Sequence, residues 1–242
     1  MRFMCMHKVD ATMEAGARPS QEIIKNMGQL IGRSLKAGIF KDGAGLHRSA
    51  MRARVAFAAG KPTVQRGPYA GANELLARFA LISTTGIERA IELAIELGHA
   101  AGGREIEIGP VVEGWDLNGS PRPADAPYRF LLLVKADSAF EASAPEPAAV
   151  RAVLDRWASE KVLQSEASLR PSKTAVRSKV VDGKRHWIDG PFAESKELIA
   201  GFSILELPSL DDAKRFTEEY AAILGDNEVD VREVVDARVV TA

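Results

Sequence analysis

The chain of 242 residues repeats itself. Residues 67–79 read GPYAGANELLARF, and residues 190–202 read GPFAESKELIAGF, 123 positions later. The same offset of 123 pairs Leu46 with Leu169, Ser49 with Ser172, Arg54 with Arg177 and Gly60-Lys61 with Gly183-Lys184. It also pairs Glu-Ile-Glu-Ile at 105–108 with Glu-Val-Asp-Val at 228–231. At the front the offset is 127, where RFMCMHK (2–8) matches RFLLLVK (129–135). One offset held over such a length implies a duplicated unit, and hence a fold of two equivalent halves. Between them, GWDLNGSPRPADAP (114–127) has the turn residues and prolines of a semi-extended linker. The expected domains are 1–115 and 128–242, joined by 116–127.

Periodicity supplies the elements. Residues 2–9 and 129–136 are apolar runs of strand length without polar alternation, so both faces are expected to be buried. Ser20-Gln21-Glu22 opens a helix expected to reach about Ala37, with Gly38 near its end. Its apolar stripe is Ile23, Ile24, Met27, Leu30, Ile31 and Leu35; Val150, Val153, Leu154 and Trp157 do the same in the second half. Strands are expected at 50–58 and 173–181, followed by hairpin turn signals at Gly60-Lys61 and Asp182-Gly183. A return strand follows, then strands at 77–84 and 200–207, helices at 86–99 and 209–224, and final strands at 104–112 and 228–235. Each half reads β-α-β-β-β-α-β, an α+β sandwich with helices on one sheet face. The other face also needs cover, which the sheet of the other half can supply.

Composition narrows the function classes. Lys and Arg number 32 against 33 Asp and Glu, a net charge of −1, which excludes a generally basic nucleic-acid binder. Trp115, Trp157 and Trp187 are scattered and form no stacking platform. Cys5 stands alone, so no internal disulfide can form and a reducing compartment is expected. The start lacks the apolar stretch of a signal peptide, and no run approaches the roughly 20 apolar residues of a membrane span. The expectation is a cytoplasmic protein that binds neither membrane nor nucleic acid.

The repeated blocks carry a family resemblance. RFMCMHK, SQEIIKNMGQLIGRSLKAGI, GAGLH, Gly60-Lys61, RGPYAGANELLARF and EIEIGPVVE resemble the YCII-related family in its DGPF-motif branch. The second half holds that motif intact as Asp189-Gly190-Pro191-Phe192-Ala193-Glu194. The resemblance implies ferredoxin-like α+β domains that pair into a dimeric α+β barrel. Two copies in one chain would make that barrel intrachain and pseudo-twofold. Relatives on the barrel include small-molecule isomerases and monooxygenases, and members beside sigma-factor regulators imply an accessory role. The first half departs from the pattern with Arg66 for the motif Asp and Tyr69 for the Phe. The family's Gly-Glu-Gly-Leu reads Gly43-Ala44-Gly45-Leu46 and Glu166-Ala167-Ser168-Leu169, so its glutamate is missing from its place in both.

Candidate chemistry follows from the residues. Asp189 is either a general base or ligand anchor at a barrel mouth, or the residue that fixes an Asp-Gly-Pro turn. Lys8 and Lys135 share a strand face with Met4 and Met6, and with Leu131 and Leu133. They would hold an anion if that face lines a cavity, and otherwise snorkel to water. Arg54 and Arg177 are equivalent and lie on a face with polar neighbours. Ser49 and Ser172 are loop hydroxyls with no hydrolase setting. His47 follows the GAGL segment and can face a pocket. His7 is matched by Val134, which reads as a packing position. Arg66, equivalent to Asp189 but opposite in charge, would pair with it across a shared cavity or mark a purely structural half. The histidines show no metal-ligand spacing, and no cofactor motif appears, so neither metal nor cofactor is expected.

The resulting expectation is a small enzyme binding a polar or anionic metabolite between the halves. Asp189 would carry proton transfer or isomerisation, helped by Lys135 and Lys8, with Arg54, Arg177, Ser49, Ser172, His47 and Arg66 as ligand contacts. The alternative is a non-catalytic ligand-binding or transcription-linked accessory protein. A further alternative is a scaffold whose sheets only cover each other. A monomeric pseudo-dimer and a homodimer both fit.

Overall fold

A computed structural model describes every residue except Asn73, 193–197, Asp226 and 241–242; the side chains of 236, 237 and 239 also lie outside the description. The motif residues Ala193 and Glu194 therefore fall outside the described residues. The first half runs β1 (Arg2–Lys8), α1 (Ala11–Glu14), α2 (Gln21–Lys36), β2 (Phe40–Gly45), β3 (Ala53–Ala58), β4 (Lys61–Arg66), β5 (Leu76–Thr84), α3 (Ile87–Ala100) and β6 (Ile106–Pro110). After α4 (Gly114–Asn118) come β7 (Tyr128–Lys135), α5 (Ser138–Glu141), α6 (Ala148–Ser159) and β8 (Leu163–Leu169). The chain ends with β9 (Val176–Val181), β10 (Lys184–Asp189), β11 (Ile199–Glu206), α7 (Leu210–Ile223) and β12 (Val229–Val239).

Local chemistry accounts for most boundaries. The Ser20 hydroxyl accepts a hydrogen bond from the Ile23 amide at 3.2 Å and caps α2. Asp10 and Asp137 cap α1 and α5 in the same way, each at 2.7 Å. The hairpin turns place both central residues at positive φ: Ala59 (50°) and Gly60 (74°), Asp182 (50°) and Gly183 (72°). These are the primed turns that match strand twist, and the first is centred one residue earlier than Gly60-Lys61.

Three expectations need correction. Each half has one strand more than its pattern announced. β2 reads FKDGAG and β8 reads LQSEASL, compositions depleted in strand formers. Partners impose these strands: β2 pairs with β11, and β8 lies between β5 and β12. The linker is not wholly extended, because Glu113 and Asp116 form a capping box that starts α4. Leu35, counted in the α2 stripe, is exposed while Leu30 is buried, so the packed face of α2 is narrower.

The architecture is mixed α+β, a curled antiparallel sheet with order β2-β11-β1-β12-β8-β5-β7-β6-β3-β4 and the β9–β10 hairpin hung on β12. Pairing crosses the linker. β1 lies between β11 and β12, and β7 lies between β5 and β6. The first strand of each half is thus flanked by the later strands of the other. This satisfies the apolar character of both faces. Phe3 and Cys5 pack under the α2/α7 layer with Leu30, Leu205 and Tyr220. Met4 and Met6 face inward with Phe79, Leu131, Leu133 and Phe202. Phe130, Leu132 and Val134 pack outward on the α3/α6 layer with Leu97, Leu154 and Trp157. At the seam, Leu46 bridges Val111, and the Val112 amide donates to the Gly45 carbonyl at 2.8 Å.

Candidate functional site

The Gly-Pro corners come first, because they set the strands beside them. A Cβ on Gly67 would stand 1.7 Å from the Ser49 carbonyl oxygen, and one on Gly190 would stand 1.8 Å from that of Ser172. Only glycine permits this approach. Both serines are fully buried. Ser49 donates its hydroxyl to Glu14, and its amide also donates to Glu14 at 3.1 Å. Ser172 donates its hydroxyl and its amide to Glu141 at 2.6 and 2.8 Å. The same hydroxyl accepts from the Phe192 amide at 3.0 Å; in the first half the Tyr69 amide plays that part at 3.4 Å. These hydroxyls latch the corner to its strand.

Behind each corner lies a buried charge network. Arg54 on β3 and Glu107 on β6 are cross-strand partners, as are Arg177 on β9 and Asp230 on β12. Arg54 stacks on the Tyr69 ring at 4.4 Å, and Arg177 on the Phe192 ring at 4.4 Å. In the first network Arg54 reaches Glu74 at 2.9 Å, Glu105 at 3.2 Å and Glu107 at 3.3 Å. Lys135 bonds Glu74 and also reaches Glu107 at 3.2 Å. Arg52 donates to Glu107 at 2.7 Å and to the His47 and Ile199 carbonyls at 2.6 and 2.9 Å. Burial pushes the Glu107 carboxyl up, but the facing Lys135, Arg52 and Arg54 outweigh it and hold it well below the usual carboxylate range. In the second network Lys8 meets Asp230 at 2.9 Å, and Arg177 holds Asp230 by two bonds of 2.6 and 3.0 Å. Burial again opposes ionisation, and Lys8 and Arg177 keep Asp230 below its ordinary value.

The structure thus brings Lys135 together with Arg54, and Lys8 together with Arg177. Each lysine is buried and hydrogen-bonded rather than snorkelling. The connecting carboxylates Glu74, Glu105, Glu107 and Asp230 were not singled out from sequence. For Glu105, Glu107 and Asp230 the signal was the Glu-Ile-Glu and Glu-Val-Asp alternation, which puts alternate carboxylates on one strand face; Glu74 had none.

Asp189 and Arg66 stand elsewhere. Asp189 is exposed at the end of β10, directly opposite Val176. Opposite residues of an antiparallel pair share a face, and Val176 faces the α2/α7 layer. Asp189 therefore points to the other side of the sheet from Arg177, Asp230 and Lys8. Arg66 lies opposite Ala53 and forms two bonds of 2.6 and 2.7 Å with the exposed Glu88 of α3. This overturns the pairing of Arg66 with Asp189 across a shared cavity, because both side chains lie outside the inward face. His47 is half-buried at the seam, where its Nε2 is 3.3 Å from Asp116. Beside these networks the inward face carries apolar side chains such as Met4, Met6, Phe79 and Phe202, and a cavity of about 100 Å³ lies against Phe79 and Ile204, lined by neither lysine.

Beside the first network a cleft of about 340 Å³ opens, with Gly103, Arg104, Glu105, Lys135 and Asp137 among its lining. It joins residues from both sides of the linker. Arg104 holds Asp137 by two bonds of 3.0 and 3.2 Å. Burial raises the Glu105 carboxyl above its ordinary value, against the pull of Arg54 and Lys135.

Residues 128–238 match the family model of the YCII-related domain. This part of the chain is a YCII-related domain. It contains Lys135, Arg177, the Ser172 latch and the intact Asp-Gly-Pro-Phe corner of the second half. Neither a curated protein nor a solved structure matches the chain. Among the described residues no helix is long and apolar enough to cross a membrane.

Proposed function

We propose that the chain is a small-molecule protein of the YCII-related kind that binds a polar metabolite in the cleft between residues 102–105 and 135–137 and acts on it by proton transfer. Lys135 carries this reading. It is the one sequence-derived candidate that both belongs to a buried network and lines a cleft of metabolite size. In this reading Lys135 orients an anionic group of the ligand. Glu105, with its raised pKa and its half-open position, moves the proton. The same reading treats residues 1–115 and 128–242 as tandem ferredoxin-like copies that form a pseudo-twofold α+β barrel in one chain. The repeat of motif, latch and network in both halves supports it. Arg54 and Arg177 then act as positioning residues, held by the aromatic of each corner.

A second reading has its own support. Arg52, Arg54 and Lys135 face Glu74, Glu105 and Glu107, three cations to three carboxylates. A network balanced in this way needs no ligand charge, as in a non-catalytic accessory protein. Exchange of ligand carbon-bound hydrogen into deuterated water, followed by NMR across a panel of small oxo- and hydroxy-acids, separates the two. The proposal expects exchange with the wild type, loss of exchange but retained binding in Glu105→Gln, and weakened binding in Lys135→Arg. Binding that is indifferent to both variants would refute the site.

A further inference from the structure

The cavity of about 100 Å³ between the arms of the sheet has no part in the cleft just described. It lies where residues 123 apart in the chain meet. Asp42 accepts the Ser165 hydroxyl at 2.5 Å, and the Phe79 and Phe202 rings are 5.5 Å apart. Its lining carries the cations Arg2, Lys41 and Arg238, the carboxylates Asp42 and Glu166, and an apolar wall of Phe79 and Ile204.

Both carboxylates are already compensated. Asp42 accepts from Ser165 and from the Gly43 amide at 2.8 Å. Glu166 is held by Arg78 and, at 2.8 Å, by Arg151. Arg238 has its charge paired with Asp155 and Glu166, but not all of its donors are satisfied. Its Nη1 donates to Asp155 at 2.7 Å. Its Nε lies 3.3 Å from Glu166 without forming a hydrogen bond, and Nη2 is buried with no hydrogen-bond partner among the described residues. Two buried donors on a cation, beside a cavity, call for an acceptor. The apolar wall sets the class of that acceptor. A phosphate would press charged oxygens against Phe79 and Ile204, which is costly. A carboxylate with a short carbon tail offers oxygens at one end and carbon at the other. The volume admits only the smallest such acids.

We infer that this cavity binds a short aliphatic carboxylate, with Arg238 gripping the acid group and Phe79 and Ile204 packing the tail. Titration calorimetry of the full chain with acetate, propionate and inorganic phosphate, against a chloride control of equal ionic strength, tests this. Acetate or propionate is expected to bind one equivalent per chain. Arg238→Met is expected to weaken it by roughly tenfold or more, the effect of losing hydrogen bonds to a charged group. Glu166 keeps Arg78 and Arg151 in that variant, and thermal unfolding without ligand checks that it folds. Ile204→Phe fills the cavity from the opposite wall with Arg238 intact, and is expected to abolish binding. Preference for phosphate, no heat above the chloride control, or equal affinity in either variant would overturn the inference. The cleft variants Glu105→Gln and Lys135→Arg should leave carboxylate binding unchanged, so the two sites fail or stand separately.

Discussion

Acidification from about pH 7 to about pH 5 should weaken the fold through one side chain, His7. It sits on β1 with its ring against α7, and its Nδ1 lies 2.6 Å from the Tyr220 hydroxyl. Gly201 makes the room, since a Cβ there would meet the His7 ring at 2.5 Å. Burial above all, helped by the Arg52 and Lys8 charges and opposed by Asp10, lowers the pKa from 6.5 to about 4. The sign follows directly. The unfolded chain takes up the proton near its ordinary pKa, whereas the folded chain resists until about pH 4. The contribution of neutral His7 is therefore complete above the ordinary pKa and is lost as pH falls through the window. Linkage gives a loss of about 2 kcal/mol between about pH 7 and pH 5, and about 3 kcal/mol over the whole window. Glu107 and Asp230 have lowered pKa values, so their contributions vanish only at more acidic pH. Urea unfolding of the wild type and His7→Val at both pH values reads this difference. Valine is what the second half places at the matching position, Val134. The wild type should lose about 2 kcal/mol more than the variant on acidification. Equal losses in the two proteins would refute the reasoning, whatever their absolute stabilities.

Gly190→Ala and Gly67→Ala each force a Cβ into a serine carbonyl and should cost about 4 kcal/mol or more in chemical denaturation. Asp189→Ala, by contrast, removes an exposed side chain at a strand end and should shift stability by about 0.5 kcal/mol or less. Glu107→Gln removes the carboxylate that joins Arg52, Arg54 and Lys135 and should cost about 3–5 kcal/mol, read by the urea midpoint. Ala59→Gly relieves a positive φ of 50° in the first hairpin turn and should raise stability by about 0.5–1 kcal/mol, read by thermal unfolding.

Much of the candidate site was within reach of the sequence, but its grouping was not. Lys8, Lys135, Arg54, Arg177, Ser49 and Ser172 all stood out by the repeat; Arg177 is partly exposed and the other five are buried. The polar neighbours of Arg54 and Arg177 gave no sign of burial, because charge buries only where a partner waits. Those partners, Glu107 and Asp230, lie 53 residues further along the chain. Asp189 drew notice through its motif. Yet it is the neighbouring Gly190, Pro191 and Phe192 that build the corner, while the aspartate faces outward. Glu74 became visible only through its contacts with Arg54 and Lys135, and the place of Glu105 only when the cleft beside Lys135 was seen. The polar strands β2 and β8 were hidden for a related reason. Pairing with neighbouring strands, β11 for β2 and both β5 and β12 for β8, rather than propensity, makes them strands.

By itself, the sequence determined what depends on neighbours along the chain. The apolar runs make strands buried on both faces, Ser20 starts a helix, and Asp182-Gly183 turns a hairpin. Tertiary structure alone decided which strand lies beside which. An apolar face states that it must be covered but not by what, and β1 found its neighbours β11 and β12 in the far half of the chain. That exchange sets Lys8 against Asp230 and Lys135 against Glu107. Backbone pairing is specified by shape and register across long separations, and the chemistry of the buried charges follows from it.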